Sequence, residues 1–327
     1  MSLFRRSPKV SPEDIERNHQ MLESLPLVEA PDAVWKSIER SLDQQRPASM
    51  ATWKWALAAV VIVVSSASIY WVASQQKPTV GWNVARVSGA PMVNDRLIHT
   101  EGRVSAGQWI ETDASSSAKV KVGEIGSVEV APNTRIQVVT TKQTEHRLAL
   151  ARGEIHAVIS APPKLFFVDT AAGTAVDLGC AYSLKASEDG SGVLSVTVGW
   201  VSFQTHGVES LVPAGASCRI RKPGGPGVPY FPAVPYFDDA SPALKEAVDE
   251  FGLTKTSNLD VILKEARKRD TLTLWHLLSR VDADDRAKVA DRMIDLTPLP
   301  SFLSRDLVLK GDSNTLSRWK DELMWTW

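Results

Sequence analysis

The side chains best suited to chemistry are scattered along this chain. His146, His156 and His206 lie in or beside runs that alternate like strands, and His276 sits on an apolar helical stripe. A general base or a metal ligand needs a second polar group at a defined spacing. No His-Glu-x-x-His, Gly-x-Ser-x-Gly, Gly-x-x-x-x-Gly-Lys or Gly-x-Gly-x-x-Gly supplies one. Each histidine is therefore expected to be solvated or satisfied inside a core. The acid pairs Asp238-Asp239 and Asp284-Asp285 read as a solvated linker and a helix N-terminus, where the helix dipole favours negative charge. The string PGGPG at 223–227 is broken by proline and leads into no helix, so it cradles no phosphate. His19 is the only histidine among the first 52 residues and has no cysteine near it, which excludes a zinc set there. The expectation is a protein that is not an enzyme, with no catalytic residues, no cofactor and no metal.

Cys180 and Cys218 are the only two cysteines. If their part of the chain is extracytoplasmic they can form a disulfide; otherwise they are two buried thiols, and sequence spacing does not decide between these. With 37 basic against 38 acidic residues the formal net charge is −1, so no overall field favours DNA, RNA or an anionic surface. No nucleic-acid partner is expected.

The elements that would position these residues change character along the chain. Residues 53–74, WKWALAAVVIVVSSASIYWVAS, carry one charge, Lys54, at the edge of an apolar run. A helix rising about 1.5 Å per residue needs about 20 residues to cross about 30 Å of hydrocarbon, so this stretch is expected to be one transmembrane helix. Trp53, Trp55, Trp71 and Trp82 would occupy the two headgroup layers. Basic residues flank the span on both sides, with a slight excess before it that favours a cytoplasmic N-terminus. Residues 1–52 contain two helix starts. Ser11, Pro12 and Asp14 resemble a capping box, and a second start falls near Pro31-Asp32. Leu22 and Leu25, then Trp35, Ile38 and Leu42, recur at helical spacing and form the candidate partner-binding face, because two short amphipathic helices bury their stripes poorly against each other.

From 80 to 222 the pattern is β. Eleven short runs read as strands, namely 118–122, 127–130, 135–140, 147–151, 154–159, 165–170, 175–178, 181–186, 193–198, 200–205 and 209–212. Gly123, Pro132-Asn133, Gly153, Asp189-Gly190, Gly199 and Gly207 mark the turns. Such strands connect as antiparallel hairpins, giving a sandwich or roll. Residues 223–242 form a Pro/Gly-rich linker with Tyr230, Phe231, Tyr236 and Phe237 available to fill surface grooves. In 243–327 the stripes Leu244/Val248/Phe251, Leu259/Ile262/Leu263/Ala266, Leu272/Trp275/Leu278/Val281, Val289/Met293/Leu296 and Leu316/Trp319/Leu323 predict an α-helical bundle of four or five elements. Asp282 or Asp284 would cap the fourth.

The β region carries a resemblance. Ala106-Gly107-Gln108 with Thr112-Asp113, Ala118-Lys119-Val120, Gly126 to Val130, Pro132-Asn133-Thr134, Leu150 with Gly153-Glu154, Phe167 to Thr170, Gly199-Trp200-Val201 and Pro213-Ala214-Gly215 together resemble the FecR domain over about 115 of the 327 residues. Where that family usually has Gly-Thr before a strand, this chain reads Gly179-Cys180. The resemblance implies a single-pass bacterial inner-membrane regulator. In that family a short cytoplasmic N-terminus binds an extracytoplasmic-function sigma factor, and a periplasmic β domain takes part in sensing. The C-terminal helices do not match the small mixed α/β docking module of siderophore regulators, which argues against a TonB-dependent receptor as partner. The alternative expectation is an envelope scaffold or adhesion module that binds protein or glycan outside the membrane.

Overall fold

The computed structural model describes residues 81–205, 207–222, 224–233, 239–251 and 257–327, together with Asp32, Ala33 and Lys36. The chain divides into Met1–Gln76 and Lys77–Trp327. The expected membrane segment at 53–74 lies outside the described residues. Among the described residues no helix is long and apolar enough to cross a membrane.

Alternation of apolar and polar residues drives strand formation wherever one face can be buried, and Ser117–Val122 shows it plainly: Ala118, Val120 and Val122 face inward while Lys119 and Lys121 face water. The described residues form seventeen strands: β1 (Trp82–Ser88), β2 (Met92–Val93), β3 (Arg96–Leu97), β4 (Glu101–Val104), β5 (Trp109–Glu111), β6 (Ser117–Val122), β7 (Gly126–Val130), β8 (Arg135–Lys142), β9 (Glu145–Ile159), β10 (Phe166–Thr170), β11 (Gly173–Asp177), β12 (Ala181–Ala186), β13 (Gly192–Val198), β14 (Trp200–Thr205), β15 (Val208–Pro213), β16 (Ser217–Arg221) and β17 (Gly225–Pro226). The ladders define two sheets. One runs β4-β1-β6-β7-β9-β12-β13-β16-β17. The other runs β3-β2-β5-β8-β9-β10-β11-β14-β15. Of the described pairings only β9–β10 is parallel. Inner-face residues of both sheets, from Val84 and Val128 to Ile136, Leu148 and Phe203, merge in one apolar core, so the architecture is a sandwich.

Strand β9 belongs to both sheets. Its first half pairs with β8 and β10, its second half with β7 and β12. The buried set changes from His146, Leu148 and Leu150 to Ile155, Ala157 and Ile159, a one-residue phase shift. Gly153, with φ 96°, sits at the corner. The sequence reading ended a strand there and began another; the backbone instead bends without breaking, because a glycine with positive φ turns the strand while the ladder continues on new partners. Gly199, expected in a tight hairpin, has φ 75° and likewise passes the chain from one sheet (β13) to the other (β14). Trp82 is not a headgroup anchor. It is 2% exposed and packs in the sandwich core.

After the sandwich the described residues form six α-helices: α1 (Pro242–Glu250), α2 (Ser257–Glu265), α3 (Thr271–Leu278), α4 (Ala283–Leu296), α5 (Arg305–Leu309) and α6 (Ser313–Leu323). Ser241 and Asp282 cap α1 and α4, each accepting a backbone N–H of the first turn. Leu244, Val248, Leu259, Ile262, Val289, Met293, Trp319 and Leu323 close a second core, as their helical spacing predicts. The linker is partly built into both bodies. Gly225–Pro226 pairs with β16, Phe231 joins the sandwich core, and Val228 and Tyr230 join the helical one. Tyr236 and Phe237 lie outside the described residues.

Candidate functional site

The candidate partner face Leu22, Leu25, Trp35, Ile38 and Leu42 lies outside the described residues, as does His206. Of the other histidines, His156 is half exposed beside Glu154, at 3.6 Å, and His146 and His276 are buried. Among the described residues no group of three or more His, Cys, Asp or Glu is placed to hold a metal ion.

The most elaborate polar arrangement joins the helices to the free edge of β15. One side of β15 pairs with β14 from Val208 to Pro213. The outward groups of Leu211 and Glu209 would be open edge sites, and His276 near the end of α3 and Arg280 in the turn that follows it cover them. The Leu211 N–H donates to His276 Nε2 at 3.0 Å, and Arg280 Nη2 donates to the Glu209 carbonyl at 2.9 Å. Arg280 also donates to Ser210 Oγ at 2.7 Å and to the Pro226 carbonyl at 3.0 Å. An open edge invites pairing with another chain, and here a helix blocks it. Around this latch Thr273 Oγ1 donates to the Pro229 carbonyl at 2.8 Å, and Arg219 meets Asp249 at 2.9 Å. Arg267 forks onto the buried Asp270 carboxylate and reaches the Phe231 carbonyl.

The protonation state of His276 follows from its partners. Nε2 accepts from Leu211, so the proton must sit on Nδ1, which donates to the Leu272 carbonyl at 2.8 Å. Burial, the dominant cause, pulls its pKa down to about 3, with the Arg280 and Lys320 charges adding to the shift. The folded pKa lies below the unfolded value, so this group's stabilisation is complete above about pH 6.5 and is lost as pH falls toward about 3. Each unit in that window costs about 1.4 kcal/mol. Thermal melts of the wild type and His276→Gln should therefore diverge between pH 7 and 5, with the wild type losing about 2 kcal/mol more. Parallel pH profiles would refute the assignment.

Cys180 and Cys218 are separate buried thiols. Cys180 Sγ donates to Asp177 Oδ2 at 2.7 Å, and Cys218 Sγ to the Gly227 carbonyl at 3.3 Å. The register explains why they do not meet. Cys218 lies opposite Leu194, which lies opposite Leu184, and Cys180 is four residues before Leu184. Two inter-strand steps and four residues along the strand separate them by about 16 Å, whereas a bridge needs Cα atoms within about 7 Å. Burial pushes the Cys218 thiol up to about 11 and raises that of Cys180 further, leaving both protonated and unreactive at neutral pH. Asp177, 1% exposed, is also raised by burial and is steadied by the Gly179 N–H at 2.6 Å.

Two concavities mark the sandwich surface. One, about 440 Å³, is lined by Asn94, Arg96, Leu97, Glu101, Arg103 and neighbours. The other, about 360 Å³, runs over Val158, Ala161, Gly179, Cys180 and Val198. Neither gathers a nucleophile with a base. Sequence reasoning left His276 either solvated or satisfied inside a core, and missed what it does with Arg280. A basic residue four positions after a histidine on an apolar stripe was the available signal, and the partners on the sandwich lie 54 to 71 residues away.

Residues 108–202, from β5 to the start of β14, match the family model described as FecR protein. A search of curated proteins gives no significant match. Two crystal structures of a candidate anti-sigma factor from Parabacteroides distasonis ATCC 8503, at 1.65 and 2.50 Å resolution, are similar at 19% and 18% identity. Each match covers 36% of this chain and 56% of the other, with a TM-score of 0.32. The chain thus spans a little over half the length of those solved chains.

Proposed function

We propose that this chain, whose residues 108–202 form a FecR domain, is a single-pass membrane signal regulator of the FecR type. The observation that carries the reading is the FecR domain itself, set behind the apolar run at 53–74. In this reading the N-terminus is cytoplasmic, the sandwich and helices lie outside the inner membrane, and residues 11–43 hold an extracytoplasmic-function sigma factor. Leu22, Leu25, Trp35, Ile38 and Leu42 supply the apolar face, as an amphipathic helix does in a groove. The role is regulatory and needs no cofactor. A FecR domain fused through β15 and α3 to a helical unit suits sensing, because a ligand or partner on either body works against the same latch.

Full-length protein in membranes of the host, captured through a C-terminal tag, tests this. Recovery of a sigma factor with the wild type, reduced at least tenfold by Trp35→Asp, supports the regulatory reading. Recovery of none, with the chain correctly inserted, removes it and favours an envelope-binding module.

A further inference from the structure

At one end of the sandwich the apolar lining gives way to three polar side chains. Trp82 opens β1, Thr141 lies one residue from the end of β8, and His146 is the second residue of β9. They are 2%, 7% and 6% exposed. Thr141 and His146 are directly opposite in the β8–β9 ladder. The Trp82 and His146 rings are 5.8 Å apart at a 44° tilt. Trp82 belongs to one sheet and the other two residues to the second, so the group spans the inter-sheet space.

Trp82 Nε1, Thr141 Oγ1 and His146 Nδ1 are buried, and none has a hydrogen-bond partner among the described residues. Native cores seldom leave one such atom unmet, and three on adjoining residues would forfeit much of what packing gains. We infer that these three atoms converge on one internal hydration site that binds a single ordered water molecule.

The chemistry of the three atoms selects the occupant. The indole N–H only donates, so the occupant must accept. The threonine hydroxyl does either, and His146 Nδ1 does either according to tautomer. Burial lowers the His146 pKa, so its ring is neutral near pH 7 and calls for no anion, and none of the three side chains carries a charge that would call for an ion. A buried water typically makes about three hydrogen bonds, which matches the three atoms. The room is small. Gly123 roofs the imidazole so closely that a Cβ there would stand 3.3 Å from His146 Cε1. The bound water links β1, the first strand of the sandwich, to the β8–β9 hairpin.

Thr141→Val keeps the shape and removes the hydroxyl, which gives a test with opposite signs. If the site is hydrated, the variant strips an anchor from the water, and the melting temperature of the full chain falls by about 2–4 °C. If the site is dry, the variant removes an unmet polar group and the melting temperature rises. A crystal structure of the wild type at better than 2 Å provides the second readout. Density for one water within hydrogen-bonding distance of all three atoms supports the site. An empty gap, or density for a larger molecule, overturns it, as does a rise in melting temperature.

Discussion

Arg280→Ala should loosen the helical unit from the sandwich. The guanidinium donates to two carbonyls and one hydroxyl on β15 and β17, and no carboxylate pairs with it among the described residues. Its charge is already desolvated, and burial lowers its pKa. Of the carbonyls it serves, that of Pro226 is partly buried and that of Glu209 is exposed. Hydrogen bonds to charged groups are worth about 1.5–3 kcal/mol each, are not additive, and here are partly solvated, so the expected loss is about 3 kcal/mol. That is a shift of more than a hundredfold in the docking equilibrium. Trypsin cleavage after Arg221, the last residue of β16, should accelerate by at least tenfold, and calorimetry should resolve two transitions in place of one. Arg280→Lys should recover little, because a point charge cannot reach three acceptors arranged as a fork. Arg305→Ala is the control: its pair with Asp291 is half exposed on both sides, and its loss should change stability by no more than about 0.5 kcal/mol. A single unshifted transition in Arg280→Ala would show that the remaining contacts, the His276–Leu211 bond and the apolar packing of Leu272 and Phe231 among them, hold the two bodies together without it.

The latch shows where sequence reading stops. The helical stripes were legible because burial repeats every three or four residues, and Leu244, Ile262, Val289, Met293 and Trp319 all lie in the core they predict. The long strands were legible for the same reason at period two, as in Ala118, Val120 and Val122. The missed strands are β1 to β5, β16 and β17: β1 loses its alternation after Val84, where Arg86 and Val87 are both exposed, β5 has three residues, and the buried Cys218 and Ile220 of β16 alternate over only five. β2, β3 and β17 are two residues long, too short to show a period, and β4 carries exposed Glu101 and Arg103 around Gly102. Trp82 was misread for a physical reason. An amphipathic ring close behind an apolar run suits a headgroup layer and a sandwich core equally well, and only the β1–β4 and β1–β6 registers place it inside. The polar contacts of Arg280 and His276 depend on pairing between segments about 55 to 70 residues apart, and no local pattern encodes that. The thiols are the converse case. The sequence left bridge or no bridge open, and two ladder registers separate them.

Gly153→Ala should be among the most damaging single-methyl changes in the sandwich. The residue has φ 96°, which costs a residue with a Cβ about 1–2 kcal/mol. A Cβ there would also overlap Thr134, and the Thr134 Cα lies as much in the way as its hydroxyl, so rotating the side chain gives no relief. Thr134 itself is tied down. Its Oγ1 accepts from the Glu154 N–H at 2.9 Å, and its own N–H donates to Thr112 Oγ1 at 3.0 Å. Overpacking a well-filled site adds about 1–3 kcal/mol, for a total of about 2–5 kcal/mol against the 5–15 kcal/mol typical of a whole domain. The damage would fall at the corner where β9 passes between sheets, so both ladders should weaken together, and the urea midpoint should fall without a separate early transition. Gly107→Ala isolates the backbone contribution. Its φ is 86°, but nothing lies within 4 Å of the added Cβ, so it should lose only about 1–2 kcal/mol. If both variants lose the same amount, close packing against Thr134 contributes nothing, and the bend in β9 is held by the ladders on either side of it.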